Sequence, residues 1–224
     1  MSAPGVAAAT IAALASVALA LFLPAGTFVW PRGWVYVVLV GGNIGVNLLY
    51  LMRVNPEVIA ARARLGAGTK RWDVIWSVGF APVFCSIYVV AGLDAVRHEW
   101  TSMSASLWWL GLGMFLPGTA LFTWSMGVNP FFEKTVRIQT ERGHRVIDTG
   151  PYRIVRHPGY VGFFGWCFSA PLLLGSWWAF VPATISALGM VVRTALEDRT
   201  LQRELPGYAD YARRVRYRLL PGIW

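Results

Sequence analysis

Apolar residues form long runs along this chain, and polar, mostly basic stretches separate them. Four runs before residue 127, at residues 6–30, 34–52, 74–95 and 107–126, each have the length of a membrane-spanning helix. Pro31-Arg32-Gly33 predicts a tight turn between the first two runs. Pro56 followed by Glu57 predicts a short helix at the membrane surface. The pattern therefore predicts an all-α integral membrane protein.

A fifth apolar run, at residues 161–192, is longer than one crossing requires, since a single helix would measure about 48 Å. It forms either one tilted helix or a hairpin of two short helices that turns at residues 175–178. The hairpin places 18 of the 20 Lys and Arg residues on one side, whereas a single crossing divides them 11 against nine. We therefore predict about six crossings: four helices and a C-terminal helical hairpin, with both termini cytoplasmic.

The composition agrees with this membrane interpretation. Hydrophobic residues make up 56% of the chain and charged residues only 14%, whereas soluble domains carry about 25% charge. The net charge of +9 follows from the sidedness of the loops and favours contact with membrane lipid rather than with nucleic acid. Cys85 and Cys167 lie in apolar runs without the spacing of a disulfide framework or a metal site.

The same features set the expected organisation. The first apolar run has no basic residue before Arg32 and is long enough to span, so we interpret it as a retained helix rather than a signal peptide. We expect one domain over residues 1–224, in which residues 1–126 form a four-helix frame and residues 127–224 hold the functional part. The expected location is the cell (inner) membrane.

Candidate chemistry is concentrated in residues 129–162 and in the charged segment RTALEDRTLQREL at residues 193–205. A hairpin brings these two segments together at the cytoplasmic border, and Arg193 and Glu197 share a helix face. Singly, each charged residue could be an interfacial anchor or a plain ion pair. Together they predict a site for a charged ligand, because unpaired charges at this depth are costly. The group consists of Arg156, His157, Tyr160, Arg193, Glu197 and Asp198.

The motifs in these two segments resemble those of the isoprenylcysteine carboxyl methyltransferase family. HRVIDTGPYRIVRHPGYVG carries an RHPxY element, and RTALEDRTLQRELPGYADYARRVRYRLLP carries the second charged element and its closing tyrosines. The resemblance covers about the last hundred residues. It implies a membrane methyltransferase that uses S-adenosylmethionine and receives a lipid-tailed substrate from the bilayer.

The resemblance also implies roles for individual residues. Arg156 and Glu197 match residues implicated in catalysis, and Arg156 would orient an acceptor carboxylate. Asp198 stands where the family has a second glutamate, one methylene longer. Cofactor contacts fall on Gly150, Tyr152, Val155, His157, Tyr160 and Asp198, and we expect Arg193 and Phe131 at the substrate. For Tyr208 and Tyr211 we favour an interfacial position over a role in the pocket.

Two alternatives stay open from the sequence alone. One is a sterol-type membrane reductase that uses NADPH, which the acidic Glu197-Asp198 pair disfavours, since a 2′-phosphate is itself negative. The other is a non-enzymatic lipid-binding membrane protein. The identity of the methyl acceptor and the oligomeric state are not determined by the sequence. No metal is expected at the site.

Overall fold

The computed structural model describes residues 3–63 and 66–224, and it builds them from α-helices and connecting turns. Eight α-helices occur in this described part: α1 (Ala3–Ala25), α2 (Pro31–Val54), α3 (Pro56–Arg62), α4 (Arg71–Gly92), α5 (Leu107–Val128), α6 (Pro158–Leu174), α7 (Phe180–Glu204) and α8 (Tyr208–Arg214). A π-helical turn, Leu93–Arg97, extends α4. The all-α prediction and the short helix after Asn55 are confirmed.

Several helices have the length and composition of membrane spans. In the described part of the chain, Gly5–Ala25, Pro31–Val54, Arg71–Arg97 and Phe180–Glu204 meet both criteria, and α6 is a shorter apolar helix of 17 residues. α5 is 22 residues long and its sequence contains no charged residue. The prediction of about six crossings stays a prediction.

The connection between α1 and α2 differs from the predicted one. The first helix ends at Ala25, and Gly26 then takes a φ of 72°. Pro31 is the first residue of α2 rather than part of a turn, which suits proline because the first helical N–H has no intrahelical partner. The predicted turn at Pro31-Arg32-Gly33 is therefore wrong by a few residues.

The predicted C-terminal hairpin is confirmed. α6 ends at Leu174 and α7 begins at Phe180, and Gly175 between them has a φ of +82°, a conformation that favours glycine. Asp94, fully buried at the end of α4, accepts hydrogen bonds from Ser176 Oγ at 2.6 Å and from the backbone N–H of Trp178 at 3.2 Å. The Thr101 hydroxyl and N–H also donate to this carboxylate. The buried carboxylate thus fastens the hairpin turn to the end of α4.

This turn defines one end of the helix bundle. Arg97 donates to the carbonyl of Pro24, and the space beside Gly175 is filled by Arg32. The two isolated basic residues of the sequence therefore lie with the hairpin turn. The loops rich in basic residues lie at the opposite end, as the charge distribution predicted.

α5 and α6 form the most extensive helix pair. A Cβ atom on Gly162 would lie 2.5 Å from the carbonyl oxygen of Gly118, and one on Gly118 would lie 2.8 Å from that of Gly162. Only residues without a side chain permit this approach. The contact fixes α6, whose N-terminal end carries the RHPGY motif, against the frame.

Candidate functional site

A cavity opens at the end of the bundle that carries the basic loops. It contains about 790 Å3 of space not occupied by protein atoms, and this figure includes open solvent at its mouth. Three parts of the chain form its walls: the segment 129–147, the N-terminal part of α6 with the residues before it, and the last turns of α7 with α8.

The RHPGY segment is held by the end of the chain. The backbone N–H of Arg156 donates to the carbonyl of Tyr217, and that of His157 donates to the carbonyl of Arg218, both at 2.9 Å. Proline at position 158 then begins α6. The residues after α8 are therefore part of the site, which the sequence did not indicate.

Asp198 lies beneath the cavity as the centre of a buried polar cluster. Its carboxylate accepts from Arg156 Nε at 2.7 Å and Nη2 at 2.9 Å, and from Arg218 Nε at 2.8 Å. Gln202 Nε2 at 2.7 Å and the Tyr208 hydroxyl at 3.1 Å also donate to it, and His157 Nε2 lies 3.4 Å from Oδ1. Asp198 is 0% exposed. Its oxygens face these protein donors and Asp198 is not among the residues that line the cavity, so its expected contact with the cofactor stays a prediction.

Arg156 is similarly occupied. Besides its two bonds to Asp198, its Nη1 donates to the carbonyls of Val215 and Arg216 at 2.7 and 2.8 Å. The guanidinium thus joins the loop before α6, helix α7 and the chain after α8. Four of its five N–H donors therefore have protein partners, which gives Arg156 a positioning role, and its expected direct contact with the acceptor stays a prediction.

Arg193 is the centre of a second polar cluster, and it also lines the cavity. Its Nε donates to Asp73 Oδ1 at 2.8 Å, and its Nη2 donates to the carbonyl of Lys134 at 2.9 Å. Its Nη1 contacts the Tyr160 hydroxyl, which donates to Glu197. Asp73 is fully buried and also accepts from the backbone N–H of Val136 at 2.7 Å. Arg193 therefore positions Tyr160 and Glu197.

Glu197 is the carboxylate from α7 that reaches the cavity. Its side chain is 20% exposed, and one oxygen lies 4.0 Å from Arg193 Nη1. The rings of His157 and Tyr160 lie parallel beside it, with centroids 5.6 Å apart. The predicted i,i+4 relation of Arg193 and Glu197 is confirmed, and the one-residue step to Asp198 turns that side chain away from the cavity.

The segment 129–147, called the cover below, forms one wall of the cavity. Buried Arg137 joins Glu133 at 2.8 Å and Glu141 at 2.7 Å within it. The backbone N–H of Gln139 donates to His144 Nδ1 at 3.2 Å, and the His144 ring packs on Phe131 with centroids 4.5 Å apart. These contacts give the cover a defined structure, in which Thr140–Arg142 forms a short 3-10 helix.

His144 gives this cover a pH dependence. Burial lowers the pKa of His144 to about 4, so the folded state prefers the neutral ring and the unfolded state binds a proton more readily. Stability linked to His144 is therefore complete above about pH 6.5 and is lost as the pH falls towards 4. We expect the melting temperature of His144→Gln to change less with pH over this interval than that of the wild type. Thermal unfolding in detergent measures both.

The control for this experiment is His98→Gln, because His98 is exposed at the opposite end of the bundle. This variant should keep the wild-type profile. An unchanged profile in His144→Gln would show that other groups set the acid sensitivity.

The structure brings most of the predicted residues to the cavity wall. Phe131, Tyr152, Arg156, His157, Tyr160, Arg193 and Glu197 line it, whereas Gly150, Val155 and Asp198 are not among its lining residues. Tyr208 and Tyr211 also line it and are at most 5% exposed, so the favoured interfacial position is wrong for both. Burial raises the pKa of Tyr208 well above its usual range, which keeps its hydroxyl a donor to Asp198.

Some contributors were not recognised in the sequence. Asp73 precedes its partner Arg193 by 120 positions, and no local pattern indicates that pairing. His144 and Gln139 lie within the polar stretch singled out, but their spacing matches no known motif. The hydrogen bonds from the RHPGY segment to Tyr217 and Arg218 likewise depend on the fold.

Comparison with known proteins gives one family. Residues 110–203 match the model of the isoprenylcysteine carboxyl methyltransferase (ICMT) family. Protein-S-isoprenylcysteine O-methyltransferase B of Arabidopsis thaliana is 28% identical over 154 residues, which is 66% of this chain and 72% of that protein. The protein-S-isoprenylcysteine O-methyltransferase of Schizosaccharomyces pombe is 33% identical over 73 residues, 33% of this chain and 29% of that protein.

A solved structure resembles the whole fold. The eukaryotic intramembrane Ras methyltransferase ICMT superposes with a TM-score of 0.51 at 20% sequence identity, covering 96% of this chain and 75% of that one. This likeness shows the fold, including helices that lie before the segment matched by the family model.

Proposed function

We propose, from the premise that residues 110–203 belong to the isoprenylcysteine carboxyl methyltransferase family, that this protein is an integral membrane methyltransferase. It transfers a methyl group from S-adenosylmethionine to a lipophilic acceptor, a carboxylate of the isoprenylcysteine type. The active site is the cavity between the RHPGY segment and α7, and it faces the cytoplasm from the cell (inner) membrane.

One observation carries the proposal. The two charged motifs, separated by about thirty residues in the sequence, meet at one cavity where Tyr160 from α6 donates to Glu197 from α7. The first motif lies within the segment matched by the family model, and the second motif begins within it and continues past residue 203. A plain structural ion pair would not require a cavity between them.

The residues at this cavity fit S-adenosylmethionine. The cofactor carries an ammonium and a sulfonium, which a carboxylate and aromatic faces stabilise. Glu197 supplies a carboxylate with exposed oxygen, and His157, Tyr160 and Tyr152 supply rings along the same wall. Gly150 and Val155 take part through the backbone that shapes this wall. When bound, the cofactor supplies an electrophilic methyl group.

The protein's own contribution is to position two reactants. Methyl transfer is an in-line displacement, so alignment supplies much of the rate enhancement. Arg193 fixes Tyr160, and Tyr160 fixes Glu197. Arg156 fixes the loop that carries His157 through Asp198. Phe131 offers an apolar wall to the acceptor, and the cover excludes water, which strengthens the fixed charges.

A carboxylate acceptor needs no general base at neutral pH, because its ordinary pKa is about 4. An amine or hydroxyl acceptor would instead require Glu197 or His157 to take a proton. The rate of methyl transfer is measured as a function of pH and corrected for loss of folded protein. A rate that does not fall as the pH is lowered to about 5 would support a carboxylate acceptor.

Calorimetric titration with S-adenosylhomocysteine, beside NADPH, tests the proposal without knowledge of the acceptor. We expect saturable binding of the first ligand only. Glu197→Gln should weaken it by about tenfold to a hundredfold, the value of a charge-assisted hydrogen bond. The matched control is Glu204→Gln on the same helix, where the carboxylate pairs with Lys70 outside the cavity.

Each result has a clear meaning. Binding that Glu197→Gln weakens and Glu204→Gln does not would support the cofactor site. A folded protein that binds NADPH and not S-adenosylhomocysteine would favour the reductase alternative. A folded protein that binds neither would favour the non-enzymatic one.

A further inference from the structure

The net charge of the chain is concentrated at the end that holds the cavity. The segments 53–73, 127–160 and 193–224 contain 18 basic and nine acidic residues, which gives +9, the charge of the whole chain. At the opposite end Arg32 and Arg97 balance Asp94 and Glu99. A ligand that approaches the cavity therefore meets a strongly positive surface, in addition to any effect of the membrane.

The acidic side chains at this end have basic partners already. Each of the nine lies within 4.0 Å of an arginine, lysine or histidine side chain. Even Asp148 and Asp210, at the exposed surface, pair with Arg214 and Arg213. A cationic segment, beyond the one cationic group that Glu197 would hold, would therefore compete with a basic side chain for a carboxylate here.

Several basic side chains at the same end are without such a partner. Among the described residues, Arg62, Arg145, Arg53 and Arg153 have no carboxylate within 4.0 Å. Arg145 lines the cavity and is exposed. Apart from Glu197, which the proposed function assigns to the cofactor, the charge available at the cavity is therefore positive.

Arg62 is the partly buried member of this set. Its guanidinium lies over the rings of Phe132 at 5.4 Å and Phe122 at 6.0 Å, and its Nη1 is 3.5 Å from the carbonyl of Phe132. Phe132 is itself a wall of the cavity. Burial lowers the pKa of Arg62 to about 10, so it keeps its charge at neutral pH. A desolvated cation without a carboxylate favours an anionic ligand nearby.

We propose that the acceptor for this cavity is a small anionic amphiphile without a cationic segment, attracted by Arg145 and Arg62. This inference rests on the proposed function and names its substrate class. Prenylated proteins commonly carry basic residues before the lipidated cysteine. Such a segment would be repelled by the +9 surface, whereas a free lipid-tailed acid would be drawn to it. The protein therefore acts on acidic lipids rather than on polybasic lipidated proteins.

Competition binding with two probes tests this inference in non-ionic detergent. One probe is S-farnesyl-N-acetylcysteine, and the other is a hexalysine peptide that ends in the same farnesylcysteine carboxylate. We expect the small probe to bind at least tenfold more tightly at low salt, with the difference falling to about threefold or less at ~0.5 M salt, where charges are screened. Equal or tighter binding of the lysine peptide at low salt would overturn the proposal.

Variants locate the effect. Arg145→Gln and Arg62→Gln should each weaken binding of the small probe by about threefold to tenfold and narrow its preference over the lysine peptide. Arg53→Gln removes the same charge from an exposed position at the end of α2 and should leave both unchanged. Equal effects of all three variants would show that only the total charge acts and would overturn the assignment to Arg145 and Arg62.

The result is separable from that of the proposed function. The probes report binding of the acceptor and need no methyl donor. If S-adenosylhomocysteine does not bind while the preference for the small acid is seen, the methyltransferase proposal fails and the charge selectivity stands. If the cofactor analogue binds and the preference is absent, the reverse holds.

Discussion

Asp198→Ala is expected to destabilise the protein by about 3–5 kcal/mol, the cost of removing one partner from a buried ion pair. The carboxylate is fully buried and joins Arg156, Arg218, Gln202 and Tyr208. Its loss leaves the Arg156 guanidinium beneath the cavity with a buried charge and no counterion. Denaturant or thermal unfolding in detergent measures this effect.

The comparison for this prediction is Asp210→Ala. Asp210 also pairs with an arginine, but both side chains are largely exposed, and such pairs contribute about 0–1 kcal/mol. Asp198→Glu provides a second comparison, because it restores the longer acid expected from the family resemblance. If Asp198→Ala melts within a degree of wild type, the cluster does not hold the RHPGY segment to α7 as described.

Arg193→Lys is expected to lower the rate of methyl transfer by about a hundredfold while leaving the fold largely intact. Lysine keeps the positive charge, but a single ammonium cannot join Asp73, the carbonyl of Lys134 and the Tyr160 hydroxyl as the planar guanidinium does. Tyr160 and Glu197 then lose their fixed position, and a displacement of about 1 Å costs about that factor in rate. Single-turnover kinetics measure the chemical step.

A matched control and a double variant test the positioning role. Arg199→Lys changes an exposed arginine on the same helix and should have no effect. Tyr160→Phe should lower the rate as well, and the double variant Arg193→Lys with Tyr160→Phe should be little worse than either single variant, because both act on Glu197. Multiplicative losses would mean that Arg193 acts independently of Tyr160. Asp73→Asn should resemble Arg193→Lys in turnover.

The hairpin and the placement of the charged ends could be predicted from the sequence. Distribution of arginines is a simple physical signal, since it decides which loops stay on one side of the membrane. The structure places Arg32 and Arg97 beside the hairpin turn and the other basic segments at the opposite end. The approach of the RHPGY segment to α7 follows directly from that hairpin.

The different positions of the Glu197 and Asp198 side chains could not be predicted in the same way. Two adjacent acids on a helix point about 100° apart, and the sequence does not say which one faces the cavity. The motif resemblance implied that both face the ligands, Glu197 in catalysis and Asp198 in contact with the cofactor. The structure separates them, with Glu197 at the cavity and Asp198 buried among arginines. Packing of the chain after α8 decides this, and it is a long-range property.

Tyr208 and Asp73 illustrate the same limit. An amphipathic tyrosine near a basic tail is typical of a membrane interface, but Tyr208 is instead buried against Asp198. Asp73 lies in the first turn of a helix, where acidic residues are common because they interact favourably with the helix dipole. Its presence there therefore did not indicate a contact with Arg193.

The fastening of the hairpin turn by Asp94 has a mechanical consequence. α6 and α7 are joined at one end by the turn bound to this carboxylate and at the other by the side chains around Asp198. Because both ends are held by these contacts, the two helices behave as one rigid unit and cannot separate to admit a lipid. A gate for a bulky tail would then lie between this helix pair and a neighbouring part of the chain, such as the segment 129–147, where the carbonyl of Lys134 accepts from Arg193 of α7.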